Sequence, residues 1–363
     1  MPRRRSRNDT AVTGETYGPL TEKGYRLMRT SPLTDQYRAM PTVPGGGAVP
    51  TEESTRVVRP AEVRQPYPGP FFGPRMDAGT SGDVATLQNL LPSRKHPDPW
   101  SLGDRPLREL YDSRPVRDDD DEQFRAVGRL VIHDDPVSWD RPAFGSAWVV
   151  GRYLIATCAH NLFDSNRRRF ARSIEFYPGF DYYAQPFGLD GTAVAPVQCR
   201  VTEGRVPASF LNNPATNDDI AVCRVDRPIG DIIGVTIPVR PPNGLNYFDD
   251  HRVIVAGYPA GSEFDFGKRL WLSRGDYLFA RRGGPDDDFA PVVATNFGGG
   301  ASGGPWLVRV GDGSLRAVGL TSGHARVRYG RGELNLMSLQ SPRVTAERWE
   351  KLQTDAVVRR FEV

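Results

Sequence analysis

Cysteine and long apolar segments are both scarce in this sequence. The 363 residues include only three cysteines, Cys158, Cys199 and Cys223. Such an odd, widely spaced set excludes a complete disulfide framework and a zinc site, although a Cys199–Cys223 pair across strands stays open. No window approaches the roughly 20 apolar residues that span a bilayer, and no apolar stretch follows the basic start MPRRRSR. We therefore expect a cytoplasmic protein with no membrane partner.

A strong excess of charge of one sign is missing as well. Lys and Arg number 47 and Asp and Glu number 44, which gives a net charge of +3. Without a basic excess, electrostatics does not indicate a nucleic-acid partner. The chemistry inferred below needs no metal, so we expect no cofactor.

Glycine and proline, in contrast, are abundant. The 38 Gly and 32 Pro make up nearly a fifth of the chain, which disfavours a helical bundle. Segments such as PTVPGGGAVP concentrate them in the first hundred residues. Such a region buries too little apolar surface to offset the entropy of ordering. We predict that residues 1–105 are a largely irregular arm that serves as a linker, a pro-region or a docking segment for a regulatory protein partner.

From Phe124 onwards the sequence changes to short apolar or alternating runs, such as GSAWVVGRYLIAT and RVIVAGYP. The runs are rich in Val, Ile and aromatic residues and are bounded by Gly, Pro, Asn or Asp, which is typical of antiparallel sandwiches and barrels. Near the end, SPRVTAERWEKLQ predicts a helix at about 341–353, with Ser341 as its N-cap. We therefore predict an all-β body over 106–363 with a C-terminal helix.

The segment TNFGGGASGGPWLV, 295–308, surrounds Ser302 with five glycines. Glycine is unfavourable inside a strand, so the segment is either an ordinary flexible loop or a place where a substrate approaches the backbone. If Ser302 is a nucleophile, the N–H groups of Gly300 and Ser302 can form an oxyanion hole.

A serine nucleophile needs a base and an acid that orients it. His160 follows the apolar run YLIATC, and Asp219 precedes the apolar run IAVCRV; each by itself is usually an ordinary strand-end residue. The segment GASGG also fits the elbow of α/β-hydrolases, but those require the order Ser, acid, His. Only His324 follows Ser302, and strands do not alternate with helices. The order His160, Asp219, Ser302 is instead that of chymotrypsin.

These motifs resemble those of the trypsin/chymotrypsin-fold serine peptidases. ATCAH stands where the family has T-A-A-H, DIAVCRV resembles its D-I-A strand, and GASGGP resembles G-D-S-G-G-P. The segments FRAVGRLVI, YPGF, QPFG and AGYPAG are most similar to those of the bacterial glutamyl-endopeptidase-like branch. The resemblance implies two perpendicular six-stranded barrels, at about 124–235 and 250–340, joined by a crossing at about 236–250, with the triad in the cleft between them.

The sequence departs from the family pattern at several positions. Ala301 replaces the aspartate that trypsins keep before the serine, so activation by pairing that acid with a new N-terminus is not expected. Asn161 replaces the cysteine after the histidine, so the disulfide beside the base is absent.

The resemblance also implies substrate-binding positions. Asn296 and Phe297 would lie at the S1 pocket, where no acid is present for a basic side chain. Thr321 stands where the glutamyl branch has its histidine, which argues against glutamate specificity unless His324 substitutes. Ser322 and Gly323 would pair with the substrate backbone.

Together these features predict a serine endopeptidase that hydrolyses protein substrates through a Ser-His-Asp triad, under regulation and with narrow specificity. Two alternatives stay open. One is a catalytically silent peptidase-fold module that binds a protein partner or peptide. The other is a scaffold whose main functional part is the N-terminal arm.

Overall fold

Short β-strands form most of the computed structural model, as the alternating apolar runs predict. The structure describes residues 90–97, 109–117, 119–133, 142–181, 197–214, 216–282, 289–324, 327–329, 332–334, 338–354 and 356–361. The strands are β1 (Leu90–Pro92), β2 (Tyr111–Pro115), β3 (Val127–His133), β4 (Ala143–Gly151), β5 (Leu154–Thr157), β6 (Phe163–Asp164), β7 (Arg169–Phe170), β8 (Ser173–Pro178), β9 (Cys199–Pro207), β10 (Ala221–Val225), β11 (Val253–Gly257), β12 (Trp271–Gly275), β13 (Tyr277–Arg282), β14 (Phe289–Ala294), β15 (Pro305–Arg309), β16 (Leu315–Leu320), β17 (Gly323–His324), β18 (Val327–Tyr329), β19 (Gly332–Leu334), β20 (Ser338–Gln340) and β21 (Ala356–Arg360).

Helices are few and short. Three helices have five residues each: α1 (Ala208–Asn212), α2 (Ile229–Ile233) and α3 (Asn246–Asp250). The C-terminal helix is α4 (Ala346–Thr354). Helix α4 begins later than predicted because the Ser341 hydroxyl is already occupied: it accepts from the Leu320 N–H and donates to the Pro342 carbonyl. Thr345 takes the capping position, and its hydroxyl accepts from the Arg348 N–H at 3.1 Å. No helix in the described ranges is long and apolar enough to cross a membrane.

The first barrel is a closed sheet with the strand order β10-β5-β4-β3-β8-β9, in which β9 pairs back onto β10. The side chains on its inner face are fully buried aliphatic and aromatic groups, including Leu130, Ile155 and Phe176. The three cysteines are buried and free, and Cys223 lies opposite Gly204 rather than Cys199. The predicted disulfide alternative is therefore wrong.

The second barrel consists of two five-stranded sheets, with the orders β1-β13-β14-β20-β17 and β16-β15-β11-β12-β2. Within this barrel the chain passes from one sheet to the other three times, between β12 and β13, between β14 and β15, and between β16 and β17. A separate core that contains Trp306, Phe264 and Phe297 lies between the two sheets. The prediction of an all-β fold with a C-terminal helix is confirmed.

The terminal segments cross over between the barrels. Strands β1 and β2, which precede the first barrel in sequence, pair with β13 and β12 of the second. Strand β21, which follows the second barrel, pairs with β9 of the first. The predicted arm at 1–105 lies outside the described residues except for 90–97, where Arg94 donates to Asp249 and His96 contacts Asp276.

Candidate active site

The pairing of two strands in the first barrel brings His160 and Asp219 together. In the antiparallel β5–β10 pair, Thr157 lies opposite Ala221. His160 comes three residues after Thr157, and Asp219 two residues before Ala221, so both leave the sheet at the same end. Each sits in or beside a short 3₁₀ turn, Ala159–Asn161 and Thr216–Asp218. Strand register thus places the imidazole beside the carboxylate.

Both oxygens of the buried Asp219 carboxylate are hydrogen bonded. Oδ1 accepts from the backbone N–H of His160 at 2.9 Å, and Oδ2 lies 2.7 Å from His160 Nδ1. The hydroxyl of Ser322 also donates to Oδ2, at 2.6 Å. These contacts hold the imidazole with Nδ1 towards the acid and fix the tautomer that carries its proton on Nδ1.

The environment raises the pKa of His160 well above its ordinary value. Burial, the largest single influence, lowers the pKa, but the charge of Asp219 and its hydrogen bond outweigh that influence. The Cys158 thiol lies 3.4 Å from His160 Nε2, and burial raises the pKa of that thiol. Cys158 is therefore a neutral neighbour of the imidazole near pH 7.

The Ser302 loop is shaped by glycines in conformations that other residues rarely adopt. Gly300 has φ +88° and Gly303 has φ +84°. A Cβ added to Gly300 would lie 2.5 Å from the Tyr258 carbonyl oxygen, and one on Gly303 would overlap the Thr157 hydroxyl. Gly299, in contrast, has nothing within 4 Å of an added Cβ. Part of the glycine cluster is thus required by close packing, and part leaves open space.

Several N–H groups of this loop have no acceptor within the described ranges, and those of Gly300 and Ser302 are among them. The neighbouring N–H of Gly303 does have one, the Thr321 carbonyl at 2.7 Å. The Gly299 carbonyl accepts from the Ala260 N–H at 2.7 Å. Because the two ends of a trans peptide unit point in opposite directions, this bond turns the Gly300 N–H away from Ala260.

Ser146 and Asn161 tie the loop to the first barrel. The Ser146 N–H donates to the Ser302 carbonyl at 2.7 Å, and its hydroxyl donates to the Gly300 carbonyl at 2.8 Å. The Asn161 amide donates to the same Ser302 carbonyl at 3.0 Å. Gly145 has no room for a Cβ because the Asn161 side chain lies against it. The sequence analysis missed Ser146; its only signal was a polar residue inside an apolar strand.

The three candidate residues are not all joined by side-chain contacts. His160 and Asp219 are hydrogen bonded, and Ser302 is connected through Asn161, the residue after His160. Within the part of the chain that the structure describes, no hydrogen bond joins the Ser302 hydroxyl to His160.

Comparison with known proteins identifies the part of the sequence that holds these three residues. The family model of the trypsin-like peptidase domain matches residues 145–319, which include His160, Asp219 and Ser302. This region is a trypsin-like peptidase domain. The match confirms the resemblance to the trypsin/chymotrypsin-fold serine peptidases and the prediction of a serine endopeptidase.

The peptidase domain is similar to solved protease structures. The thermostable serine protease AL20 from an extremophilic microorganism is 20% identical, with a TM-score of 0.48 over 65% of this chain and 98% of that one. Protease Anisep from Arthrobacter nicotinovorans is 18% identical, with a TM-score of 0.48 over 68% and 99%. A Glu endopeptidase is 19% identical, with a TM-score of 0.46 over 66% and 93%. None of the curated proteins matches the sequence.

The predicted pocket residues of the peptidase domain make contacts with the protein itself. Asn296 accepts from the Ser113 hydroxyl, and Phe297 packs edge-to-face on Phe264 inside the second core. The Thr321 hydroxyl accepts from the Trp306 indole N–H. A role for Asn296, Phe297 and Thr321 in substrate binding stays a prediction.

The remaining predicted substrate residues follow β16. The Ser322 side chain contacts Asp219, a supporting contact that the sequence analysis did not anticipate. Gly323 and His324 form β17, which pairs with β20 along one edge. The pairing of Ser322 and Gly323 with a substrate backbone, and a substrate contact for His324, likewise stay predictions.

Three possible metal ligands of the peptidase domain lie close together: Cys158, His160 and Asp219, with ligand atoms within 4.8 Å of one another. The imidazole, however, directs Nδ1 to Asp219 and Nε2 to Cys158. One ion cannot bind both nitrogens of one ring, so this ring orientation does not form a three-ligand site.

Proposed function

We propose that this protein hydrolyses peptide bonds through Ser302 as nucleophile, His160 as general base and acid, and Asp219 as the orienting acid. The observation that carries the proposal is the buried Asp219–His160 pair beside a serine loop in which the N–H groups of Gly300 and Ser302 have no acceptor among the described residues. A fixed imidazole tautomer and donors available to an oxyanion are what acyl transfer by serine requires.

In the proposed first step, the Ser302 Oγ attacks the substrate carbonyl carbon while its proton moves to His160 Nε2. The carbonyl oxygen becomes an oxyanion, which the Gly300 and Ser302 N–H groups receive. The C–N bond then breaks, and the leaving amine takes the proton from Nε2. Water repeats the sequence on the acyl-enzyme and returns Ser302 to its hydroxyl form.

In this proposal, rotation about χ1 brings the Ser302 hydroxyl to Nε2 when substrate binds. Catalytic hydrogen bonds are often long or misaligned in unliganded enzymes and tighten when substrate binds. The Ser302 backbone stays in place during this rotation, because Ser146 and Asn161 both donate hydrogen bonds to its carbonyl.

The proposed substrate is a protein or peptide that the site recognises with narrow specificity. Ser322 and Gly323 would pair with the residues that precede the cleaved bond, by adding the substrate as a strand beside β17. Phe297 near the pocket favours a small or apolar side chain at P1. Residues 1–105 would regulate access or recruit a partner.

The test combines activity-based labelling with peptide digestion. The wild type should react with a fluorophosphonate probe at Ser302 and cleave a proteome-derived peptide library. Ser302→Ala should lose labelling and about 10⁶-fold of kcat. The matched control is Cys158→Ala, which removes the thiol beside Nε2 but keeps labelling and cleavage. Arg or Lys at P1 would overturn the pocket assignment.

A second candidate, a silent module that binds peptides, is favoured by one observation: His160 Nε2 contacts Cys158 rather than Ser302. That candidate predicts no labelling of the wild type and unchanged peptide binding by Ser302→Ala. A chain that lacks residues 1–89 extends the same experiment. A higher turnover makes the arm inhibitory, and loss of partner capture at constant turnover makes it a recruiter.

A further inference from the structure

A buried arginine in the first barrel has no acidic partner. Arg129, in β3, keeps only 7% of its surface exposed. Its Nε has no hydrogen-bond acceptor, and within the described ranges it forms no ion pair. Burying a guanidinium without a carboxylate is unfavourable, and desolvation lowers the pKa of Arg129 to about 10.

Aromatic rings surround this cation. Its guanidinium carbon lies 3.9 Å from the centre of the Phe144 ring and 5.3 Å from that of Phe180. Both rings are only partly buried. Phe180 contacts Tyr177 and Tyr258 in turn. Cation–π contacts offset part of the desolvation cost but satisfy none of the N–H donors of the guanidinium.

The neighbouring carboxylates are engaged elsewhere. Glu175 accepts from the Tyr177 hydroxyl at 2.8 Å, and Asp181 contacts Arg269 at 3.5 Å. The other buried arginine of the same barrel shows the usual arrangement: Arg205, 6% exposed, lies 3.1 Å from Glu203. Arg129 is thus a buried cation that the described chain does not neutralise.

Strand pairing directs Arg129 towards the Ser302 loop. In the β3–β4 pair Arg129 lies directly opposite Ser146, so the two side chains share one face of the sheet. Phe144, two residues before Ser146, lies on that face as well. Ser146 contacts the Gly300 carbonyl through its hydroxyl. Arg129 therefore lies on the face of the first barrel that meets the nucleophile loop.

The position of Arg129 relative to Ser302 indicates which part of a bound substrate would lie beside Arg129. The backbone of the loop pairs with Thr321 on one side, through Gly303, and with Ser146 on the other. Thr321 continues into β17, where the proposed substrate residues before the cleaved bond add. The residues after the cleaved bond would extend to the opposite side, past Ser302 towards β4 and Arg129.

We propose that Arg129, with Phe144, Tyr177 and Phe180 as walls, binds a carboxylate of the substrate on the leaving-group side of the cleaved bond. The ligand is an acidic side chain or the free C-terminal carboxylate, since a guanidinium binds either one through two parallel hydrogen bonds. This inference rests on the proposed function for the direction of the substrate.

The experiment uses matched peptides cleaved by the full-length protein. Each pair differs only by Glu or Gln at the first, second or third position after the cleaved bond, and each is made with a C-terminal acid and a C-terminal amide. At one position we expect kcat/KM to be about tenfold higher for the carboxylate than for its neutral counterpart. A Glu preference in the amide series identifies a side chain, and an acid-over-amide preference identifies the terminus. A ratio near one at every position overturns the proposal.

Variants assign the preference to the residue. Arg129→Met should bring the carboxylate-over-neutral ratio of kcat/KM close to one. Arg129→Lys should keep part of the preference, because the positive charge stays while the two parallel hydrogen bonds of the guanidinium are lost. The control Arg205→Met removes an equally buried arginine and should leave the ratio unchanged. Retention of the full preference by Arg129→Met overturns the proposal. If Arg129→Met does not fold, the wild-type ratio and Arg129→Lys still decide.

A binding measurement separates this inference from the proposed function. Fluorescence anisotropy with Ser302→Ala and the same peptide pairs reports the carboxylate preference without hydrolysis. If the wild type cleaves nothing but the preference appears in binding, the subsite stands and the proposed catalysis fails. If cleavage occurs with no preference in either assay, the proposed function stands and the subsite is wrong.

Discussion

The two halves of the candidate site differ in how completely their polar groups are paired. On the first barrel, both Asp219 oxygens are hydrogen bonded, and Nδ1 of His160 has its partner. On the second barrel, the N–H groups of Gly300 and Ser302 have no acceptor within the described residues. The half on the first barrel is therefore closed to new hydrogen bonds, and the half on the second barrel is open to them.

This difference follows from what each half has to do. The imidazole must keep one tautomer, and paired contacts achieve that. The loop must receive charge that appears only during the reaction, so its donors must point at a position that is empty beforehand. The bonds from Ser146 and Asn161 hold the loop by its carbonyls and leave those N–H groups available.

The largest effect that tests the closed half is expected for Asp219→Asn. Oδ1 accepts from the His160 N–H, so the amide oxygen takes that place and the NH₂ group faces Nδ1. Nδ1 then becomes an acceptor, and the proton moves to Nε2, which can no longer take one from Ser302. We expect kcat to fall about 10⁴-fold.

The same variant changes the pH profile. His160 must be neutral to act as a base, so in the wild type kcat/KM falls as the pH drops through the raised pKa, with a midpoint above 6.5. Without the Asp219 charge the pKa falls, and the residual activity should persist to lower pH. An unchanged midpoint, or a loss below about tenfold, would contradict the role of Asp219.

A smaller effect tests the open half. Gly300→Ala places a Cβ against the Tyr258 carbonyl in a backbone conformation that disfavours it, so the loop has to shift. Displacing one oxyanion donor lowers kcat about 10²- to 10³-fold.

The matched control for this change is Gly299→Ala, whose Cβ meets nothing within 4 Å. It should change kcat by less than about twofold. Steady-state kinetics on one peptide compare the two variants, and equal losses would remove the oxyanion assignment.

The smallest effect concerns the connection between the halves. Ser146→Ala removes a buried hydroxyl that donates to the Gly300 carbonyl and accepts from the Tyr258 N–H. Leaving both groups unpaired should cost about 1–3 kcal/mol of unfolding free energy. It should also lower kcat, by less than Gly300→Ala does.

Ser341→Ala provides the comparison, because its buried hydroxyl bridges Leu320 and Pro342 away from the site. Urea unfolding should show a similar loss of stability, while kcat stays the same. Equal kinetics for the two serine variants would make Ser146 structural only.

Local patterns allowed much of this protein to be predicted. Alternating apolar residues predict strands because side chains on a strand alternate between faces, and the glycines around Ser302 predict a loop because glycine is unfavourable inside a strand. The chain order of His160, Asp219 and Ser302, together with the motifs around them, indicated the family. The same reasoning placed Ser341 at the start of α4, where long-range bonds to Leu320 override the local signal.

The sequence by itself determined the strands, the turn-forming glycines and the residue types available for chemistry, since these depend on neighbours along the chain. Only the tertiary structure decided that Ser322 supports Asp219, that Ser146 holds the serine loop and that Arg129 is buried without an acid. Each of these depends on which strand lies opposite which, and on the register between them. The Ser322–Asp219 and Ser146–Gly300 contacts join residues more than a hundred positions apart, and no local pattern encodes them.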